Sequence, residues 1–435
     1  MFVLCNRAGR MIQRLILLAA LALACAPAGA APAQRFADHT PPIAFYVVKG
    51  PPGVCGEGCD SWIAAEGKID SLAAARFRKF VKQVGDRGLP IYFNSPGGNL
   101  EQGLAIGNIL RETKAIARVG RTVVRECGFE AQDGEACVKL KQSGRELTGE
   151  LWTRGAMCNS ACPYLILGAP TREIAPDTLL AVHSPRVILN FSSGAPPAEV
   201  RMQALQQANA RADRLVLDYL KRMGVDPGLL SVSRSVRFED LHVLSREEIA
   251  KFGVDRREQI ETPWTFEYAS RGFVYKTVMT RKPGETSFRT TRFQLVCFDA
   301  DRFELDFQRP APAASGSTSV AITNGTDRLN FLYPPRKGHD AKGRDAKGLG
   351  DKDPGEETWG MGVTGPRLRA LASSTGPELN EGELRAGSWQ FASSRLSTEG
   401  LQAALQRLLS GCPQPKRTSV TSSSAEREQV VGAAR

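Results

Sequence analysis

Histidine is scarce in this chain: His39, His183, His242 and His339 are all there is in 435 residues. No cysteine pair is followed by a histidine at ligand spacing, so a zinc site at Cys55/Cys59 or Cys158/Cys162 ranks behind a disulfide reading of those pairs. After the N-terminal leader no apolar run is long enough to span a membrane. Nucleic-acid recognition motifs are absent too. The net charge of +11 then reads as a generically basic surface, one that anionic envelope surfaces would suit better than nucleic acid. Nothing in the chain calls for a metal, a nucleotide or another cofactor.

What is present begins with a leader. Arg7, Arg10 and Arg14 precede the apolar run Leu15 to Cys25, and Ala28-Gly29-Ala30 fits a signal-peptidase site. Residues 1–30 are expected to be a signal peptide and 31–40 a polar leader, with the mature protein periplasmic or secreted from a bacterial cell. Losing the three leader arginines takes the charge from +11 to +8. A lipid anchor at Cys25 is the alternative, against which stands the missing Leu three residues before it. Cys5 and Cys25 leave with the leader, and Cys55, Cys59, Cys127, Cys137, Cys158, Cys162, Cys297 and Cys412 remain. An even number in an exported chain points to disulfides. Three close pairs stand out, and Cys297 and Cys412 are left to clip the C-terminal region. A redox-active Cys158 is the competing reading.

Three segments carry chemistry. Leu89-Pro90-Ile91-Tyr92-Phe93 reads as a buried strand that Asn94-Ser95-Pro96-Gly97-Gly98 must end, since Pro96 removes a donor and the glycines admit positive φ. Asn99 can cap the helix that follows. A strand passing through a Gly-Gly turn into a helix leaves amides free to hold an oxyanion. Ser160 opens the run Ala161 to Leu167, where Pro163 is tolerated only in a first helical turn. Ser160 is either an N-cap or a nucleophile eased by the helix terminus. His183 ends the apolar strand Leu179 to Val182, the place where an α/β fold puts site residues.

Together, Asn94-Ser95-Pro96-Gly97-Gly98, Ser160 opening a helix and His183 closing a strand resemble the proteolytic-subunit family of Clp serine peptidases, within the ClpP/crotonase fold. The segment from Arg237 to Asp255 is similar to the family segment that carries the triad Asp before a helix. In it Ser245 and Glu248 form a capping box and Gly253 the helix stop. The resemblance covers residues 43–254. It implies Ser160 as nucleophile, His183 as base and Asp240 as the orienting acid, with Glu239 as its substitute. The oxyanion would lie at the Gly97 or Gly98 amide with that of Ala161. The chain departs from the family pattern in the Asn159-Ser160-Ala161 triplet, in Asp240 standing one position off, and in a Cys-containing insert at 121–150. Exported stand-alone ClpP-like proteins share the Cys-rich nucleophile segment.

Strands alternating with helices predict an α/β fold, a ClpP/crotonase-like core of βαβ units with a largely parallel sheet over 41–262. Residues 197–223 form a long helix, with Leu205, Ala208, Ala212, Leu215, Tyr219 and Met223 on a stripe that serves either the core or a neighbouring subunit. Composition shifts after Pro263, and 263–412 reads as a smaller, mainly β domain closed by a C-terminal helix, with a flexible loop at 336–356. Residues 413–435 are expected to be disordered. The function expected is an exported serine hydrolase, a peptidase on short or unfolded peptides, working as a small homo-oligomer. The alternative is an inactive ClpP-fold binding or assembly protein of the envelope. Acyl-CoA chemistry of the crotonase type is disfavoured, because CoA is not expected outside the cytoplasm.

Overall fold

The computed structural model describes residues 40–413, apart from 190, 192–193, 195, 269–270, 282–283, 300, 311–317, 332–335, 338–355 and 386–387. The expected signal peptide, His39, His339, most of the 336–356 loop and the tail beyond Pro413 lie outside these residues. From Pro41 onward the described chain belongs to one compact unit.

Its first part runs β1 (Ala44–Lys49), β2 (Ser61–Glu66), α1 (Ala73–Val84), β3 (Ile91–Asn94), α2 (Leu100–Glu112), β4 (Ile116–Val119), β5 (Arg121–Val124), α3 (Glu135–Lys141), β6 (Leu147–Trp152), β7 (Met157–Asn159), α4 (Ala161–Ile166), β8 (Thr171–Glu173), β9 (Leu179–Val182), α5 (Ala198–Met223), α6 (Gly228–Ser235), β10 (His242–Val243) and α7 (Arg246–Lys251). Seven strands make one sheet in the order β5-β6-β1-β2-β3-β4-β8, and β10-β9-β7 make a second. The large sheet is parallel at β6/β1, β2/β3, β3/β4 and β4/β8, and antiparallel at β1/β2 and β5/β6.

Both faces of this sheet are covered, which is why β2 is apolar at four successive positions. Ile63 and Ala65 turn to one side, packing with Phe77 of α1 and Ile106 and Leu110 of α2. Trp62 and Ala64 turn to the other, packing with Val54, Cys55, Cys127 and Cys137. The insert at 121–150 therefore supplies the second cover: β5 and β6 extend the sheet, while α3 and the Cys127–Cys137 bridge lie over it.

The second part comprises β11 (Gln259–Glu261), β12 (Thr265–Tyr268), β13 (Gly272–Thr280), β14 (Arg289–Cys297), β15 (Arg302–Pro310), β16 (Thr318–Asn324), β17 (Asp327–Asn330), β18 (Arg336–Lys337), β19 (Glu356–Thr364), α8 (Gly365–Ala372), β20 (Glu378–Arg385), β21 (Ser388–Arg395) and α9 (Leu401–Ser410). One sheet orders β11-β13-β14-β15-β19-β18, with β12 on β13, and the other orders β17-β16-β20-β21. Their core holds Trp264, Phe293 and Phe307 against Leu401, Leu405 and Leu408 of α9. Helix α8 departs from the sequence reading, which gave this part a single helix at its C-terminal end. Pro366 in its first turn was a usable start signal. The two parts are fastened by the ion pairs Arg154–Glu267 and Arg407–Glu150 and by Tyr275 donating to Asp177 at 3.1 Å.

The stripe on α5 divides. Val216, Tyr219, Leu220 and Met223 enter the core, whereas Val200, Met202, Leu205 and Leu215 are exposed. Gly224 ends the helix in a left-handed conformation. Among the described residues no helix is long and apolar enough to cross a membrane.

Candidate active site

β7 and β9 run parallel with Asn159 level with Ala181, and β10 runs antiparallel to β9 with His242 level with Val182. The period of two sends Cys158, Leu180 and Val182 into the core. It turns Met157, Asn159, Leu179, Ala181, His183, Leu241 and Val243 to the opposite face. There Met157, Leu179, Leu241 and Val243 are exposed, while Asn159 and His183 are buried.

Ser160 stands at the end of β7 with φ 61 and ψ −106. A left-handed backbone on a non-glycine residue costs about 1–3 kcal/mol and persists only where the surroundings enforce it. The enforcement is visible on both sides of the residue. The Ser95 amide donates to Met157 O at 2.8 Å, the Asn159 amide to Ser95 O at 3.0 Å and the Ser160 amide to Ala181 O at 2.9 Å. Across the turn, Cys158 and Cys162 are joined, their Cα atoms 5.1 Å apart. The Ser160 side chain makes no capping bond, so the N-cap use of this residue is not taken up.

The Gly-Gly loop lies directly on this turn. A Cβ on Gly97, whose φ is 99°, would fall 2.5 Å from Ser160 Cβ and 3.0 Å from the Ala161 nitrogen. The Gly97 amide is occupied, donating to Ser95 Oγ at 3.1 Å. The Gly98 position is different. Ile69 donates to Gly97 O and accepts from the Asn99 amide, so the Gly98 N–H and C=O point away from Ile69, although a Cβ on Gly98 would fall 2.2 Å from Ile69 O. Among the described residues neither the Gly98 amide nor the Ala161 amide donates to a protein acceptor. Asn99 caps α2 as expected, accepting from the Gln102 amide at 3.0 Å.

His183 is buried, with its ring 5.0 Å from the Phe238 ring and its carbonyl accepting from Ser233 Oγ at 2.7 Å. Burial pulls the imidazole below its ordinary pKa, against the opposing influence of the Ser184 backbone and the Glu239 charge, and so favours the neutral base. Its Nδ1 has no hydrogen-bond partner. Continuing the β9/β10 register by one residue sets Leu241 opposite it. The expected acid, Asp240, accepts from Arg237 Nε at 2.7 Å, and Glu239 accepts from Arg186 Nη2 at 2.8 Å. Arg186 in turn lies over Phe238, 4.0 Å from the ring centroid. Among the described residues no hydrogen bond joins His183 to Ser160, Asp240 or Glu239.

The eight cysteines among the described residues form four bridges, Cys55–Cys59, Cys127–Cys137, Cys158–Cys162 and Cys297–Cys412. These are the pairs that the sequence suggested, and they fit an extracytoplasmic protein. The capping box of Ser245 and Glu248 on α7 is present, and Gly253 follows the helix at φ 70. Sequence reasoning missed Ser95 and Asn159. Ser95 is fully buried and holds the Gly97 amide, and a polar residue before a Pro-Gly-Gly turn was its signal. Asn159 is a buried amide beside Ser160, and only the pairing of β7 with β9 reveals it.

Comparison with known protein families and with curated proteins yields no match. Among solved structures, the chain is similar to the 1510-N membrane-bound stomatin-specific protease, at 16% identity and a TM-score of 0.26 over 44% of this chain and 74% of the other. It is similar also to ClpP1 from Listeria monocytogenes, at 17% identity and a TM-score of 0.26 over 43% of this chain and 85% of the other.

Proposed function

We propose that the chain is an exported serine hydrolase that cleaves short or unfolded peptides. Ser160 Oγ attacks the acyl carbon and His183 Nε2 takes its proton, then returns it to the leaving amine. Water attacks the acyl-enzyme by the same route in reverse. The Gly98 and Ala161 amides are the oxyanion donors in this reading, and Gly97 supplies the close approach rather than a donor. The exposed apolar residues Met157, Leu179, Leu241 and Val243 beside the site favour substrates with apolar side chains.

The observation that carries the reading is the strained backbone of Ser160, kept at φ 61 with its hydroxyl excluded from capping. A protein that needed only a cap there would relax the turn. The absent Ser160–His183 bond does not oppose it, since such bonds often tighten only in a complex. Fluorophosphonate labelling tests it: the oxidised mature protein should be labelled at Ser160, and Ser160→Ala should abolish labelling. A second reading, an inactive binding protein on the same scaffold, draws on Leu241 standing opposite His183 and on both nearby carboxylates being held by arginines. Absence of labelling in correctly oxidised protein decides for it.

A further inference from the structure

Among the described residues five buried side-chain N or O atoms have no hydrogen-bond partner, and two of them belong to residues of this site: Asn159 Oδ1 and His183 Nδ1. Both residues are 8% exposed. An unpaired polar atom at such depth costs about 1–3 kcal/mol, so two orphans on neighbouring strands of one small sheet demand an explanation. Asn159 is level with Ala181, which places it diagonally across from His183 on the same face of β7 and β9. With parallel strands about 4.8 Å apart and a rise of about 3.3 Å per residue, the two Cα atoms lie roughly 8 Å apart, within reach of an amide and an imidazole. The Asn159 Nδ2 faces Met157 Sδ at 3.4 Å, toward the start of β7, which leaves Oδ1 as the free end.

The Ser184 backbone also bears on the ring, and the other side chains around it are apolar or bonded elsewhere. Leu241, just before β10, stands opposite it with an apolar side chain, and the Phe238 ring lies 5.0 Å from it. Asp240 and Glu239 are bonded to Arg237 and Arg186. His242, next in the chain to Leu241, is turned to Glu248 at 3.0 Å.

We propose that Asn159 Oδ1 accepts the Nδ1–H of His183 and is the positioning residue for this imidazole. The contact forms by rotation of the Asn159 side chain, replaces the orienting carboxylate of a Ser-His-Asp set and fixes the proton on Nδ1. Nε2 is then left as the acceptor for Ser160. An amide does this without adding charge, in keeping with the neutral imidazole that burial favours. The catalytic meaning of the contact rests on the serine hydrolase reading; the contact itself does not.

The test is NMR on full mature protein labelled with 15N-histidine, followed through pH. Wild-type His183 should carry its neutral proton on Nδ1, and Asn159→Ala should move it to Nε2. Asn159→Asp, which is isosteric and keeps the acceptor, should retain the Nδ1–H form and raise the His183 pKa by about 1–3 units by supplying an opposite charge. Asp240→Asn should change neither. Kinetics give the matching split: Asn159→Ala lowers kcat about 10²-fold or more with KM little changed, and Asn159→Asp recovers rate as pH rises. An Nε2–H tautomer in the wild type overturns the proposal. So does an Asp240→Asn that shifts His183 while Asn159→Ala does not. If His183 behaves as stated and Ser160 is never labelled, the contact stands and the hydrolase reading falls.

Discussion

Gly97 and Ser160 touch where a single added carbon cannot fit: a Cβ on Gly97 would lie 2.5 Å from Ser160 Cβ and 2.5 Å from Asn159 O. The loop and the Ser160 turn are thus one packed object, and Gly97 is needed twice, for its φ of 99° and for the contact. Gly97→Ala should cost at least ~2 kcal/mol of stability, the sum of left-handed strain and displaced backbone. Fluorophosphonate labelling should fall by two orders of magnitude or more, roughly the loss of one oxyanion donor. Urea unfolding and labelling rate measure the two effects, and normal labelling would detach the loop from the site.

The bridge across Ser160 is expected to act on reactivity more than on global stability. It closes only a short loop, with a sequence separation of 4, whereas Cys297–Cys412 spans 115. Loop-closure entropy gives the longer bridge about 4.7 kcal/mol. A Cys158→Ala/Cys162→Ala protein should therefore lose most labelling at Ser160 with a small drop in Tm. A Cys297→Ala/Cys412→Ala protein should show the opposite pattern. Calorimetry alongside labelling separates them, and equal labelling in both variants removes the role assigned to the first bridge.

Activity should persist into mildly acidic solution. The folded His183 has its pKa lowered by burial from 6.5, so kcat/KM should fall with an acid-limb midpoint below 6.5. The same shift has a stability consequence. Below 6.5 the unfolded chain binds this proton before the folded one does, so His183 favours the folded state fully above 6.5 and loses that contribution as pH falls through its folded pKa. His183→Gln should flatten that part of the stability–pH curve, and an unchanged slope would show that the ring is not the group titrating.

Arg309 of β15 is 1% exposed, with its Nε on Glu357 of β19 and its Nη1 on Glu381 of β20. It joins the two sheets of the second part. Arg309→Ala leaves Glu357 buried without its counter-charge, held only by the Trp359 indole N–H at 3.1 Å, and should cost about 3–5 kcal/mol. Arg309→Met with Glu357→Gln should recover much of it, since apolar and neutral replacements remove the stranded charge. Denaturant midpoints of the two proteins check this, and equal loss in both would mean that packing, not charge, decides.

The exposed half of α5 is the surface we expect a second copy to cover, giving a dimer or trimer. Val200, Met202 and Leu205 lie on it with no partner from the core. Light scattering of the mature protein should give two or three subunits, and Met202→Glu with Leu205→Glu should shift it to one. A particle of about fourteen subunits, the size that the family resemblance would allow, would overturn this expectation.

The sequence alone determined what depends on neighbours along the chain. Strand ends at Pro96-Gly97-Gly98, the Asn99 cap, the Ser245/Glu248 capping box and the close cysteine pairs are local, and short-range sterics and hydrogen bonding fix them. Tertiary structure decided what depends on register. The pairing of β9 with β10 put Leu241 opposite His183 and left Asp240 to Arg237, a shift of one residue that turns a side chain to the other face. The pairing of β7 with β9 brought Asn159 to the same face as His183, and the insert at 121–150 became a cover for the sheet. Apart from the Arg237–Asp240 pair, none of these contacts lies within a few residues along the chain, so no local pattern encodes them; they follow from which strands neighbour one another and where each falls in its pleat.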